Sequence, residues 1–110
     1  AAADRSASVA ERLLVHMFRD AGCAGWHRAF SAAGHLVDIA FPAARVAIEV
    51  DGWAWHMDAE RARQDKRRQN ALVRAGWTVL RYTWHDLTGR PRTVLAEIGF
   101  EVTKGMAAAK

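Results

Sequence analysis

Cysteine is nearly missing from this chain: one, Cys23, in 110 residues. A lone thiol builds no disulfide framework, zinc knuckle or CxxC redox pair. It fits a reducing compartment, and a cytoplasmic location is expected. No apolar run approaches the roughly 20 residues that a membrane span needs, and no secretory signal is visible. Nucleotide-loop patterns such as G-x-G-x-x-G and the P-loop are absent, as is the nucleophile elbow. Lysine is scarce, three against thirteen arginines, and guanidinium suits two-pronged phosphate contact. An initiating Met is lacking as well: the chain opens Ala1-Ala2-Ala3 and closes Ala107-Ala108-Ala109-Lys110. The expectation is an excised domain over residues 8–100, with 1–7 and 101–110 as frayed termini.

What is present is ordinary for one globular domain. Apolar residues make up 51%, enough to bury a core at this length. The formal charge is +4. That balance suits a polyanionic partner, or simple solubility.

Periodicity divides the chain into elements. Ser8-Val9-Ala10-Glu11 reads as a capping box opening a helix. Val9, Leu13, Leu14, Met17 and Phe18 share one face of it, and Gly22 and Gly25 close it. Residues 26–41 read as a hairpin turning near Ala32 to Gly34, ended by Pro42. Residues 45–51 form a strand with Val46, Ile48 and Val50 on one face and Ala47, Glu49 and Asp51 on the other. Asp58 caps a helix running to about Ala75, with Gly76 at its end. Residues 77–83 form a strand, and 92–98 a terminal helix. The order predicts an α/β fold, a mixed central sheet with helices on both faces and a right-handed crossover.

The residues with chemistry concentrate in 37–56. Asp38 lies on one strand, and Glu49 and Asp51 leave the same face of the next. Strands about 4.8 Å apart let three carboxylates converge on one hard cation, Mg²⁺ or Mn²⁺. A solvated strand face is the plain alternative, disfavoured because acids are depleted in strands. Gly52 allows a close backbone approach where the strand stops. His56 is a general base or acid, or a structural histidine. His16, His27, His35 and His85 read as structural or surface. Trp53 and Trp55 either stack on bases or line the core. Residues 61–74 carry +5, so the rest of the chain sums to −1. Arg61, Arg63, Lys66, Arg67, Arg68 and Arg74 repel one another unless an anion meets them, and a nucleic-acid backbone would. Asp65 and Lys66 are the members able to turn back toward the acidic strand. Glu11 serves the cap on spacing alone.

Val37-Asp38, IEVDGWAWH (48–56), D-K-R-R-x-N-A-L (65–72) and GWTVLRYTWHDL (76–87) together resemble a family related to very-short-patch-repair endonucleases. That family lies within the PD-(D/E)XK restriction-endonuclease-like superfamily, and the resemblance covers roughly residues 8–98. It implies metal-dependent cleavage of a DNA phosphodiester, in repair or defence. By position Asp38 matches the first metal-binding carboxylate, Glu49 the acidic position of the second strand and His56 the catalytic histidine, and Asp38, Glu49 and Asp51 are expected to hold the metal. Glu11 and Asp65 become supporting acids. The strand lysine of the superfamily is replaced by Asp51, so Lys66 is expected to supply charge at the phosphate. One cysteine cannot build the structural zinc of the repair enzymes. Similar domains follow a targeting segment, which is expected N-terminal to this one. The expected activity is a Mg²⁺-dependent DNA endonuclease or nickase. The alternatives are a catalytically silent DNA-binding module of toxin–antitoxin type, or a nuclease acting on RNA.

Overall fold

The structure, a computed structural model, describes residues 2–54 and 58–109. Helix α1 spans Ala2–Asp20. Strands β1 (His27–Ala32) and β2 (His35–Phe41) form the hairpin, and a 3-10 turn over Pro42–Ala44 leads into β3 (Val46–Asp51). Helix α2 (Ala59–Arg74), strand β4 (Thr78–Thr83), and helices α3 (Trp84–Gly89) and α4 (Pro91–Ala108) complete the order.

Among the described residues the sheet order is β1-β2-β3-β4. The first three strands are antiparallel neighbours; β3 and β4 pair in parallel, joined through α2. All six residues of β3 are buried, as a central strand covered on both faces requires. Val46, Ile48 and Val50 pack with Leu14 and Phe18 of α1, Leu87 of α3, and Val94 and Ile98 of α4. Ala47 packs on the other side with Ala40 and with Leu72 of α2.

Local chemistry explains the ends of α2. The Asp58 side chain accepts the Arg61 amide at 2.8 Å, the expected N-cap. Gly76, with φ +90°, donates to Val73 O while Trp77 donates to Leu72 O. That is a Schellman ending, and a left-handed φ at its closing residue is why glycine stands there.

Three expectations need correction. Within the described residues the segments expected to fray are helical: α1 starts at Ala2 and α4 reaches Ala108. Alanine-rich segments are good helix formers without any hydrophobic period to reveal them. Close backbone contacts hold both ends, with Ser6 1% exposed against Gly52 and Gly105 against Ala44. The Ser8–Glu11 capping box therefore lies inside a helix, and Ser8 Oγ instead accepts from Arg12. Helix α3 was missed, although Thr83-x-x-Asp86 carries the capping-box signature, and both of its bonds form.

The expected close approach at Gly52 is present: an added Cβ would overlap Ser6 Oγ and the backbone of Ser6 and Ala7. Gly52→Ala should therefore destabilise the fold by about 2 kcal/mol or more through overpacking, measured by urea denaturation. Asp86 supports a pH test. The Thr83 amide first, then the Thr83 hydroxyl and Arg90, hold its carboxyl below the usual range against a smaller opposing effect of burial. A depressed folded pKa means stabilisation that is full above the unfolded value of about 3.9 and lost as pH falls through the folded one. The stability difference between wild type and Asp86→Asn should accordingly shrink below about pH 4, followed by thermal melts across pH.

Candidate active site

Asp38 occupies an irregularity in β2. Ile39 and Phe41 belong to the α1–α4 side of the sheet, whereas Val37 and Ala40 pack on the α2 side. Strict alternation would put Val37 with Ile39, so the strand changes face at Asp38. On β1 the opposing ladder pairs Arg28 with Ile39 and Phe30 with Val37. Ala29, between them, has φ +49°. Beyond the Ile39–Ile48 pair, the Val50 amide donates to Asp38 Oδ2 at 2.8 Å, a side chain taking the place of a ladder carbonyl.

This carboxyl is crowded. Its pKa is pushed up to about 7, first by burial and then by the neighbouring Glu49 and Glu11 charges; the Val50 amide pulls the other way. Glu11 and Asp38 line a cleft of about 210 Å³ with Ala7, Ser8 and Val50.

On the α2 side, five charges alternate. Glu49 is 6% exposed and accepts from Arg68 Nη1 at 2.5 Å. Arg68 also reaches Asp65 at 3.4 Å. Arg81 donates to both Asp65 oxygens and, through Nε at 2.9 Å, to Asp51. Sequence spacing makes this chain: positions 65, 68 and 72 of α2 share one face, and Leu72 fixes that face against the sheet. Parallel pairing sets Arg81 of β4 beside Glu49. Burial raises Asp65, but the two guanidiniums outweigh it and hold the carboxyl below its ordinary value. Burial likewise opposes the charge on Arg81, and Asp51 and Asp65 keep it protonated.

The site brings Asp38 and Glu49 together, with Glu11 beside Asp38. Asp51 leaves the expected triad for Arg81, because a cation one strand away neutralises it directly. Among the described residues no group of three or more His, Cys, Asp or Glu is arranged to hold a metal ion. Two carboxylates still suffice for Mg²⁺, which commonly takes one or two from the protein and completes its shell with water and substrate phosphate. Hard oxygens and the crowding at Asp38 suit such a cation. Asp65 turns inward as anticipated; Lys66 does not, and is exposed on α2 beside Arg61, Arg63 and Arg67. Arg68, expected on the phosphate-facing side, is instead bonded to Glu49, Asp65 and the Leu36 carbonyl. Trp53 is 51% exposed and meets Trp84 edge-on at 5.1 Å. Trp55 and His56 lie outside the described residues. Arg81 and Arg28, the partner of Glu11, were missed. An arginine inside WTVLRYT was the available signal, since a charge in a half-buried strand calls for a partner.

The architecture and the acidic break in β2 define the restriction-endonuclease-like fold. The profile of the restriction endonuclease family REase_MTES_1575 matches residues 11–102, and the chain belongs to that family. The chain is similar to a solved structure described as the homing endonuclease I-Bth0305I catalytic domain, with a TM-score of 0.63 and 19% identity. The alignment covers 90% of this chain and 94% of that one, and at this identity the likeness is one of fold. A comparison with curated proteins gives no match.

Removing one member of the alternating chain strands its neighbours. Arg81→Met should cost about 2 kcal/mol, the scale of hydrogen bonds to charged groups, measured by chemical denaturation. Adding Asp65→Asn to it should recover part of that loss, since one of the stranded charges is gone.

Proposed function

We propose that the domain is a DNA endonuclease or nickase that uses Mg²⁺ or Mn²⁺, in repair or defence. The supporting observation is the pairing of Asp38 and Glu49: two crowded carboxylates, one anchored by the Val50 amide. These two residues would hold the cation, with Glu11 at the cleft wall as a further acid. When bound, the metal would polarise the phosphodiester and activate a water. Asp38 keeps a fixed direction because its other oxygen is tied to the strand backbone. Arg68 and Arg81 supply the positive charge that the superfamily draws from its strand lysine. They stand at the carboxylates, where Lys66 does not. Asp51 and Asp65 orient those guanidiniums rather than the cation. His56 keeps the role the resemblance assigns, accepting or donating the proton of the water or leaving group. Arg61, Arg63 and Arg67, exposed along α2, would contact backbone phosphates, and Trp53 would stack on a base.

One observation favours a second reading, a nucleic-acid-binding module without cleavage: Glu49 and Asp51 already carry arginine partners. A plasmid-nicking assay with Mg²⁺ and Mn²⁺ separates the two. Wild type should nick, and Asp38→Asn and Glu49→Gln should each lose about 100-fold or more, with circular dichroism unchanged. Asp51→Asn should lose less than either. Nicking that survives both Asp38→Asn and Glu49→Gln would sink the assignment of the pair. Binding of the plasmid without any nicking by the wild type would favour the silent module. A folded RNA in the same assay reports the remaining substrate class.

A further inference from the structure

The basic helix α2 covers one side of the sheet. The other side carries a second line of positive charge, on α1. Arg5, Arg12, His16 and Arg19 are all exposed on α1. Their spacings of 7, 4 and 3 residues place them on one face within about 60° of each other. From Arg5 to Arg19 the line runs about 21 Å, the rise of about six base pairs of duplex. Glu11 is the one acid of the sequence between residues 5 and 19, and it is turned to Arg28.

The line passes the mouth of the acidic cleft. Ser8 and Glu11 both line that cleft. Arg12 donates to Ser8 Oγ at 3.1 Å, and Arg28, 43% exposed at its side chain, is bonded to Glu11. Two guanidiniums therefore stand at the rim of a pocket whose floor is the Asp38 carboxyl. Arg19 lies over the Trp26 ring, 5.8 Å from its centroid, which steadies the far end of the line. Because β2 changes face at Asp38, that carboxyl opens toward α1 while its neighbour Glu49 is bonded from α2.

We infer that the solvent face of α1 is a second phosphate track, with Arg12 and Arg28 at the cleft mouth and Arg5 and Arg19 extending it along the helix. Its occupant is the backbone of a nucleic-acid strand, so that the substrate is held from both sides of the sheet, by α1 and by α2. The inference rests on the nuclease reading. Charge complementarity carries it: a nearly acid-free row of arginines borders the acidic cleft in which the proposed reaction would hold a phosphodiester.

The test is equilibrium binding of the whole chain to a fluorescent duplex, by anisotropy without divalent cations, over a series of salt concentrations. Arg5→Gln/Arg12→Gln/Arg19→Gln is compared with wild type, with the matching Arg→Lys triple, and with Arg61→Gln/Arg63→Gln/Arg67→Gln. The α1 glutamine triple should weaken binding about tenfold or more. It should also lower the slope of log affinity against log salt by about two to three, near 0.9 per lost phosphate contact. The lysine triple should keep most of the slope, which separates lost charge from a disturbed fold. An α1 triple with wild-type affinity and slope, beside a weakened α2 triple, overturns the track and leaves the nuclease reading standing. A wild type that binds no duplex overturns both. A triple that loses binding to phosphatidylserine vesicles but keeps the duplex assigns the face to a membrane, and the inference falls.

Discussion

Glu49 and Asp51 lie on the central strand of the sheet, covered on both faces, and the structure turns on their pairing. An ionised carboxylate in that position is costly unless a cation and hydrogen bonds meet it. Here Arg68 from α2 and Arg81 from β4 meet it, with Asp65 binding the two guanidiniums to each other. The arrangement constrains three elements at once. It sets the rotation of α2, because residues 65 and 68 must face the sheet together with Leu72. It sets the neighbour of β3, because Arg81 must come from the adjacent parallel strand. It also sets the direction of Asp51, which is drawn from Asp38 toward β4. Replacing such a network by apolar residues is often neutral or stabilising, so stability alone gives no reason for it. A site that handles a charged substrate does.

Asp38 joins the two halves of this arrangement. A strand that changes face presents one residue to both sides, and its carboxylate satisfies the amide that the irregularity leaves without a ladder carbonyl. On the α1 side it floors a small cleft with Glu11. On the α2 side it crowds Glu49. Carboxyl groups brought together in this way raise one another's affinity for a proton.

Much of this could be read from residues in order. Period-3.6 and period-2 patterns located α1, β3, α2 and β4 to within a few residues, apart from the long helical ends. The Asp58 cap and the Gly76 stop are local chemistry and formed as expected. What misled was also local. Ser8 and Glu11 fit a capping box in spacing, yet the helix had already begun, because alanine forms helices without any apolar period. Arg68 belonged to a run of like charges and was read with its neighbours. Only its rotation about the helix separates it from Arg67, by about 100°, and that turns one inward and leaves the other in solvent.

By itself, the sequence determined the element order apart from α3, the acidic strand and the basic helix beside it, since each depends on residues a few positions apart. Tertiary structure alone decided which charge meets which. Arg81 and Asp51 are 30 residues apart, Arg28 and Glu11 17, and Asp38 and Val50 12. Coulomb and hydrogen-bond energies depend on distances of a few ångströms through space. The folding of β4 beside β3, and the break in β2, set those distances: they left Asp51 and Asp65 on arginines, and Glu49 between Arg68 and Asp38.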